Sequence, residues 1–328
     1  MHETLEQHNI SPDSIFSQNQ IAVLIPCYNE AITITQVVQS FKLALPEATI
    51  YVYDNRSTDD TSIRAQAAGA VVCYEAQAGK GHVVRRMFAD IEADIYIMVD
   101  GDNTYEVPAV RRLVNRLVTE NLDMVVGTRQ PSPESNEAYR LGHRGGNLFL
   151  TGVVRFLFGR QLKDMLSGYR VMSRRFVKSF PALSNGFETE TELTIHTLEL
   201  NIPFVEEPTL FYSRPDGSES KLKTFSDGWR ILGTALLLFK EVRPALYFGI
   251  QFIVLSILAI ALGIPLIKTY LETGLVPRIP TVILSASMIL LAFLSLFCGL
   301  ILDSVARGRR ETKRLNYLGY PATKNYTK

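Results

Sequence analysis

Tyr96-Ile97-Met98-Val99-Asp100-Gly101-Asp102-Asn103-Thr104-Tyr105 is an apolar run that stops abruptly at two carboxylates separated by one glycine. Ile95 to Val99 reads as a buried strand, short and rich in β-formers. Gly101 lets the chain turn sharply and so sets both carboxylates at the strand's C-terminal edge. In an open parallel sheet that edge is where ligands bind. Neighbouring carboxylates repel unless a cation lies between them. A divalent metal carrying a diphosphate meets that need, and hard cations such as Mg²⁺ or Mn²⁺ prefer oxygen ligands. The competing reading is a polar turn in which Asp102 caps the next helix.

Upstream and downstream of this stretch, strand and helix patterns alternate with short connections. Strands are expected at Ile21 to Pro26, Thr49 to Tyr53, Ala70 to Glu75, Ile95 to Val99 and Met124 to Gly127. Helices are expected at Thr33 to Leu45, Ser62 to Ala68, His82 to about Ile91, Val107 to Glu120, and from Gly186 to about Leu200. This alternation predicts an α/β fold, a mostly parallel sheet with helices on both faces. Polar clusters then fall at several C-terminal strand ends: Pro26 to Glu30, Asp54, Asp100 with Asp102, and Gly127-Thr128-Arg129. Together they predict a single ligand crevice. No G-x-G-x-x-G follows the first strand, and Gly79-Lys80-Gly81-His82 lacks the P-loop spacing, which argues against a dehydrogenase or a P-loop NTPase.

Among 328 residues, 34 Lys plus Arg nearly balance 33 Asp plus Glu, so bulk charge points to no nucleic-acid partner. Cys27, Cys73 and Cys298 are far apart, without metal-ligand spacing, and read as free thiols in a reducing compartment. Residues 1–20 form a polar tail with no apolar core of a secretory signal.

The C-terminal third differs in kind. Pro244 to Ile267 and Ile279 to Leu302 carry no charge, and each exceeds the ~20 residues that cross a bilayer. Both outer flanks are basic: Lys221, Lys223, Arg230, Lys240 and Arg243 before the first span, and Arg307, Arg309, Arg310, Lys313 and Arg314 after the second. The positive-inside rule then predicts a transmembrane hairpin (244–302) of an integral inner-membrane protein with both termini cytoplasmic, and a basic tail at 303–328. Residues 225–243 mix Trp229 and leucines with charges and read as an interfacial helix lying on the membrane, a linker helix being the alternative.

Ile25-Pro26-Cys27-Tyr28-Asn29-Glu30, Asp54 with Ser57-Thr58-Asp59, Gly79-Lys80-Gly81 and Asp100-Gly101-Asp102 resemble the inverting glycosyltransferases of family two, which have a GT-A fold. Val126-Gly127-Thr128-Arg129, Asp164-Met165-Leu166-Ser167-Gly168-Tyr169-Arg170 and Gly217-Ser218-Glu219-Ser220-Lys221-Leu222 resemble the polyprenyl-phosphate branch of that family. That branch includes dolichyl-phosphate mannose synthase and bacterial enzymes that load glucose onto undecaprenyl phosphate. The resemblance implies a GT-A catalytic domain over 21–224.

It also implies residue roles. Pro26, Tyr28 and Glu30 line the nucleoside pocket, Asp54 binds base or ribose, and Lys80 approaches the nucleotide. Asp102 is the more direct metal ligand, with Asp100 nearer the ribose or behind the metal, and Mg²⁺ or Mn²⁺ is the cofactor. Arg129, Arg140 and Arg144 meet the acceptor phosphate, where a planar guanidinium can bind two oxygens. Asp164 sits near the reacting carbon and orients acceptor or sugar. Arg214, Ser220 and Lys221 are further candidates for phosphate or acceptor, and the glycines and polar residues of Pro215 to Ser220 read as a lid whose Lys221 reaches the diphosphate. Glu190 and Glu192 suit a helix N-terminus and are also candidates for sugar hydroxyls.

The expected reaction moves one sugar from a nucleotide sugar, UDP before GDP, to a polyprenyl phosphate, undecaprenyl or dolichyl, with the bilayer and a homo-oligomer as partners. Two rivals are a polysaccharide synthase acting on a saccharide acceptor and an inactive membrane scaffold. Against the first stands the lack of a Gln-x-x-Arg-Trp-like segment; against the second, the intact Asp100/Asp102, Lys80, Arg129 and Lys221.

Overall fold

The computed structural model describes residues 12–132, 152, 155–156, 163–186, 188–215, 217 and 224–323. The chain divides into two compact units, Met1–Ala235 with Lys313–Lys328, and Leu236–Thr312.

The first unit is a seven-stranded sheet in the order β3-β2-β1-β4-β6-β5-β7. In chain order its elements are α1 (Pro12–Gln18), β1 (Ile21–Cys27), α2 (Ile34–Ala44), β2 (Thr49–Asp54), α3 (Thr61–Ala67), β3 (Val71–Tyr74), α4 (Lys80–Asp90) and β4 (Ile95–Met98). A 3₁₀ turn (Val107–Ala109) leads into α5 (Val110–Thr119), then β5 (Met124–Pro131), β6 (Arg170–Ser173), α6 (Arg174–Ser179), α7 (Thr189–Leu200) and β7 (Phe204–Phe211). The pairings of β1 with β2 and β4, of β2 with β3 and of β5 with β7 are parallel. β6 runs antiparallel to both of its neighbours, β4 and β5.

Alternation along the central strands builds two cores, because successive side chains point to opposite faces. Ile21, Val23 and Ile25 of β1 and Ile95 and Ile97 of β4 join Val37, Phe41, Leu113 and Leu117 from α2 and α5 on one face. Ala22, Leu24, Tyr96 and Met98 join Val83, Met87, Phe176 and Leu193 from α4, α6 and α7 on the other. β1 and β4 are buried on both faces, which is why they read as near-continuous apolar runs. The chain lays β2 and β3 on one side of β1 and crosses back to β4 on the other, so the switch point lies between the C-terminal ends of β1 and β4. That crevice is the expected ligand position of an open sheet.

The five expected strands are present, and β6 and β7 extend the sheet beyond the sequence expectation. Arg170 heads β6 with no exposed surface, so its charge masks the strand's burial. β7 contains Glu206, Glu207 and Pro208 and has β5 as its one neighbour in the seven-stranded sheet, an edge where proline is tolerated. The helix expected from His82 begins at Lys80, and that expected from Val107 is a 3₁₀ turn followed by α5.

Three helices follow: α8 (Thr224–Val242), α9 (Pro244–Thr273) and α10 (Ile279–Leu318). Both α9 and α10 are long and apolar enough to cross a membrane. Within the second unit they meet through small and polar residues. Ser295 Oγ donates to the Phe248 carbonyl at 3.2 Å and Ser285 Oγ to that of Ala259 at 2.9 Å, while Gly299 lies against Phe248. α10 runs on as helix to Leu318, through the first part of the expected basic tail at 303–328. In the first unit the end of that helix is tied by Tyr317, whose hydroxyl donates to Asp123 at 2.6 Å, and by Lys313, 2.7 Å from Glu199.

Candidate active site

Asp100-Gly101-Asp102 stands where β4 ends, beside the end of β1. A Cβ on Gly101 would lie 2.7 Å from Cys27 Sγ, so only glycine lets the two strand ends approach. The turn is completed by Asn103 in the left-handed region (φ 58°), and the Gly101 carbonyl accepts from Thr33 Oγ1 at 2.6 Å. Asp102 is buried. Its Oδ1 accepts from the Thr104 hydroxyl at 2.6 Å, and Arg214 Nη2 lies 2.5 Å from its Oδ2. Arg214 Nη1 lies 4.0 Å from Glu30 Oε1. Burial and the neighbouring Asp100 charge hold the Asp102 carboxyl above the usual carboxylate range, against the pull of Arg214. Burial, with the Glu30, Asp54, Asp100 and Asp102 charges behind it, pushes the Cys27 thiol up too, which leaves it an inert neutral thiol.

Lys80 opens α4 behind Gly79, and both flanking glycines are required by close approach. Gly79 has φ +128°, its Cβ would meet the Asn185 carbonyl at 2.1 Å, and a Cβ on Gly81 would meet that of Ser184 at 2.1 Å. Lys80 is the first residue of that helix, with 10% of its side-chain surface exposed. Its Nζ lies 2.5 Å from both Asp100 Oδ1 and Glu190 Oε1. Burial alone would lower the ammonium's pKa, but Asp100 and Glu190 outweigh it and hold Lys80 firmly charged. Asn55 secures this corner: its side chain donates to the Glu75 and Gln77 carbonyls and accepts from the Gly79 amide at 2.7 Å.

The loop after β1 is clipped to the loop after β2. The Asn29 amide donates to Ser57 Oγ at 2.9 Å, the Glu30 amide to Thr61 Oγ1 at 2.8 Å and the Ala31 amide to Asp59 at 3.1 Å. Asp54 is buried and accepts from the Ser57 amide at 2.8 Å and from the Ser62 hydroxyl, so its visible work is to shape this loop. Pro26 is half-buried near the end of β1 and Tyr28 is exposed at the rim.

Arg129, on β5, and Asp164 form a fork-to-fork pair with two 2.7 Å bonds, and the Arg129 amide adds a third at 3.2 Å. The guanidinium sits 5.7 Å from the centre of the Phe211 ring. Glu206 on β7 accepts from the Lys163 and Asp164 amides and so fixes the segment that carries the carboxylate. Glu190 faces the site through Lys80, whereas Glu192 faces away, accepting from the Leu183 and Ser184 amides at 2.9 and 2.8 Å. Arg140, Arg144, Ser220 and Lys221, with most of the expected lid, lie outside the described residues.

The expected residues thus gather in two groups: Glu30, Asp100, Asp102, Lys80, Glu190 and Arg214 at the switch point, and Arg129 of β5 with Asp164 from the segment ahead of β6. The supporting residues Asn55, Tyr105 and Arg170 carry no role in the sequence reading. Tyr105 Oη accepts from the Gly168 amide at 2.9 Å, and a Cβ on Gly168 would sit 2.5 Å from Asp100 Oδ2. Arg170, fully buried, donates to the carbonyls of Ser167, Met165 and Glu190, joining that strap to the start of α7. Its only sequence signal is a charged residue where a strand should be apolar.

The site fits a divalent cation. Among the described residues no three His, Cys, Asp or Glu side chains form a ready ligand set. Yet Mg²⁺-like ions are usually held by one or two carboxylates together with substrate phosphates. Asp102 already has a cationic guanidinium on its free oxygen, the demand a metal would meet.

Comparison with known proteins agrees with this geometry. The profile of "Glycosyl transferase family 2" matches residues 22–180. Glycosyltransferase AglJ of Haloferax volcanii is 35% identical over 230 residues, 70% of this chain and 75% of its own. Protein RfbJ of Shigella flexneri is 53% identical over 124 residues, 38% of this chain and 95% of its own. The crystal structure of glucosyl-3-phosphoglycerate synthase from Mycobacterium tuberculosis superposes with a TM-score of 0.55 at 26% identity, covering 70% of this chain and 83% of that one. The mixed sheet with its switch-point carboxylates is therefore a GT-A fold, and the chain belongs to glycosyl transferase family 2, whose members transfer a sugar from a nucleotide sugar.

Proposed function

We propose that the protein transfers one sugar, with inversion, from a nucleoside-diphosphate sugar to a polyprenyl phosphate at the cytoplasmic face of a membrane. The observation that carries the acceptor is the second unit, α9 and α10, two helices of bilayer-spanning length in the same chain as a sugar-transfer domain. Such an anchor is useful to an enzyme whose acceptor is a lipid.

The donor's diphosphate belongs at Asp100 and Asp102, with the nucleoside over Pro26, Tyr28 and the loop that Asp54 shapes. Asp102 would hold a divalent cation, which would supply neutralisation of the charge on the departing diphosphate. UDP is the first choice of nucleotide: the mycobacterial enzyme that shares the fold has been crystallised with Mn²⁺, uridine-diphosphate-glucose and phosphoglyceric acid. Lys80 holds Asp100 and Glu190 in place, and Glu190 in turn presents its remaining oxygen to the sugar.

The acceptor is a phosphate monoester, ionised near neutral pH with a second pKa of about 6, so it attacks without a general base. Arg129 gathers the acceptor oxygens. Asp164, with both oxygens given to Arg129, is a positioning residue for that guanidinium. The work of the site is orientation and charge stabilisation.

The test is transfer of radiolabelled sugar into butanol-extractable lipid by purified enzyme, with undecaprenyl phosphate, Mg²⁺ or Mn²⁺ and a panel of nucleotide sugars. Product with one donor, lost in Asp102→Asn, is expected. No lipid product with any donor overturns the reading.

A further inference from the structure

We propose that Tyr105 is a positioning residue that keeps the donor carboxylates and the acceptor arginine in register. Its hydroxyl holds the 164–168 strap against Asp100, and its ring backs the phenyl group on which Arg129 lies. The inference rests on the reading of Arg129 as the group that gathers the acceptor phosphate.

Transfer needs both halves of the site at a fixed separation, because the attacking oxygen must meet the reacting carbon in line. The halves come from separate parts of the chain. Asp100 and Asp102 follow β4, Arg129 belongs to β5, and Asp164 lies ahead of β6. Tyr105 touches the support of each. It follows Thr104, whose hydroxyl donates to Asp102 at 2.6 Å and whose carbonyl accepts from the Tyr212 amide at 2.8 Å. Its own backbone pairs with Phe211 in an antiparallel bridge.

The side chain adds two links. Tyr105 Oη accepts from the Gly168 amide at 2.9 Å. Gly168 packs so closely on Asp100 that a Cβ there would stand 2.5 Å from Oδ2 and 3.2 Å from Oδ1, so the strap cannot shift without disturbing that carboxylate. The Tyr105 ring meets the Phe211 ring edge-on, with centroids 5.3 Å apart, and the Arg129 guanidinium lies 5.7 Å from the centre of the same Phe211 ring. One side chain therefore reaches Asp100 through a backbone amide and Arg129 through an aromatic ring.

The hydroxyl is the part that cannot be replaced by packing. Tyr105 is buried, and burial with the Asp100 charge beside it pushes its ionisation up, so it stays a neutral hydroxyl able to accept from an amide. Without that oxygen the buried Gly168 N–H loses its partner and carries its full desolvation cost. The strap has other anchors: Ser167 Oγ donates to the Gly127 carbonyl at 2.5 Å, and Arg170 bonds the Ser167 and Met165 carbonyls. Loss of the hydroxyl thus frees Gly168 locally and leaves the fold in place.

The experiment uses the full-length protein in detergent. It measures kcat for transfer to undecaprenyl phosphate, the Kd of UDP or of the nucleoside diphosphate of whichever donor the enzyme accepts, and thermal unfolding. Tyr105→Phe is expected to lower kcat about tenfold, as for one lost buried hydrogen bond, with the nucleotide Kd within about twofold of wild type. In an Arg129→Gln background the same change costs about twofold or less, because the register it kept no longer matters. Phe211→Leu breaks the second link and is expected to follow the same pattern; it decides the matter if Tyr105→Phe does not fold. Unchanged kcat in either folded variant overturns the proposal. So does a loss of nucleotide affinity in step with kcat, which marks a merely structural role, or a full tenfold loss that persists without Arg129. A wild-type enzyme that makes no lipid product with any donor overturns the acceptor reading and this role with it.

Discussion

The pairing of Asp164 with Arg129 bears on the role proposed for both. The place of Asp164 before Ser167-Gly168-Tyr169-Arg170 suggests a group beside the reacting carbon, yet both oxygens are committed to Arg129 at 2.7 Å. At 6% and 17% side-chain exposure the pair is shielded enough for its geometry to matter. Asp164→Asn is expected to lower kcat/KM for the lipid acceptor on the order of 10²-fold, as for loss of one preorganised electrostatic contact. Arg129→Gln lowers it similarly, and the double variant is little worse than either single one, because all three break one unit. Additive losses in steady-state assays would instead give Asp164 a separate role, as would a pH–rate slope that disappears only in Asp164→Asn.

At the scale of elements, the start of α4 and the 181–185 segment work as one part. Gly81 lies inside a helix, where alanine would ordinarily be favoured by about 1 kcal/mol. The 2.1 Å approach of the Ser184 carbonyl reverses that preference. Gly81→Ala is expected to destabilise the protein by about 2 kcal/mol through overpacking and to weaken nucleotide binding by shifting Lys80. Calorimetric unfolding and a UDP titration check both, and an unchanged Tm would show that the segment yields freely.

The middle of α7 carries a different liability. His196 is buried between Phe176 and Phe180, with ring centroids at 5.6 and 5.5 Å, and among the described residues neither ring nitrogen has a hydrogen-bond partner. Burial, helped by the Lys313 ammonium, pushes its pKa down to about 3. The folded state therefore keeps it neutral while the unfolded chain takes up a proton below the ordinary value near 6.5. Above that pH the group adds no pH dependence to stability. As pH falls from 6.5 toward 3, stability declines by about 1 kcal/mol per pH unit on its account. His196→Phe should flatten the dependence of unfolding free energy on pH between 6 and 4 on the order of that slope. A variant with the wild-type slope would assign the acid sensitivity elsewhere.

The whole molecule joins a family 2 sugar-transfer domain to two apolar helices. The basic flanks predict that α9 and α10 cross the bilayer with the 274–278 turn on the outer side. In a background with Cys27, Cys73 and Cys298 replaced, a cysteine at Leu275 should react with a membrane-impermeant maleimide added to intact cells, and one at Arg307 should react only after lysis. The reverse pattern, or labelling of both, would reject the hairpin orientation.

The amino-acid sequence by itself determined the five strands read from it, the positions of the strand-end polar clusters, the two apolar helices and the family, because each depends on local periodicity or on a short motif. Tertiary structure alone decided how those clusters are wired. β6 and β7 were illegible because Arg170 is charged and buried, satisfied by carbonyls from distant segments, and because an edge strand tolerates Pro208 and two glutamates. Lys80 and Glu190 are 110 positions apart in the chain, and Asp102 and Arg214 are 112 apart. Burial forces each charge to find a partner, and which one it finds depends on which strands and helices the fold brings together. Asp100-Gly101-Asp102 announced a need for positive charge, and the fold settled that Lys80 meets it at Asp100 and Arg214 at Asp102.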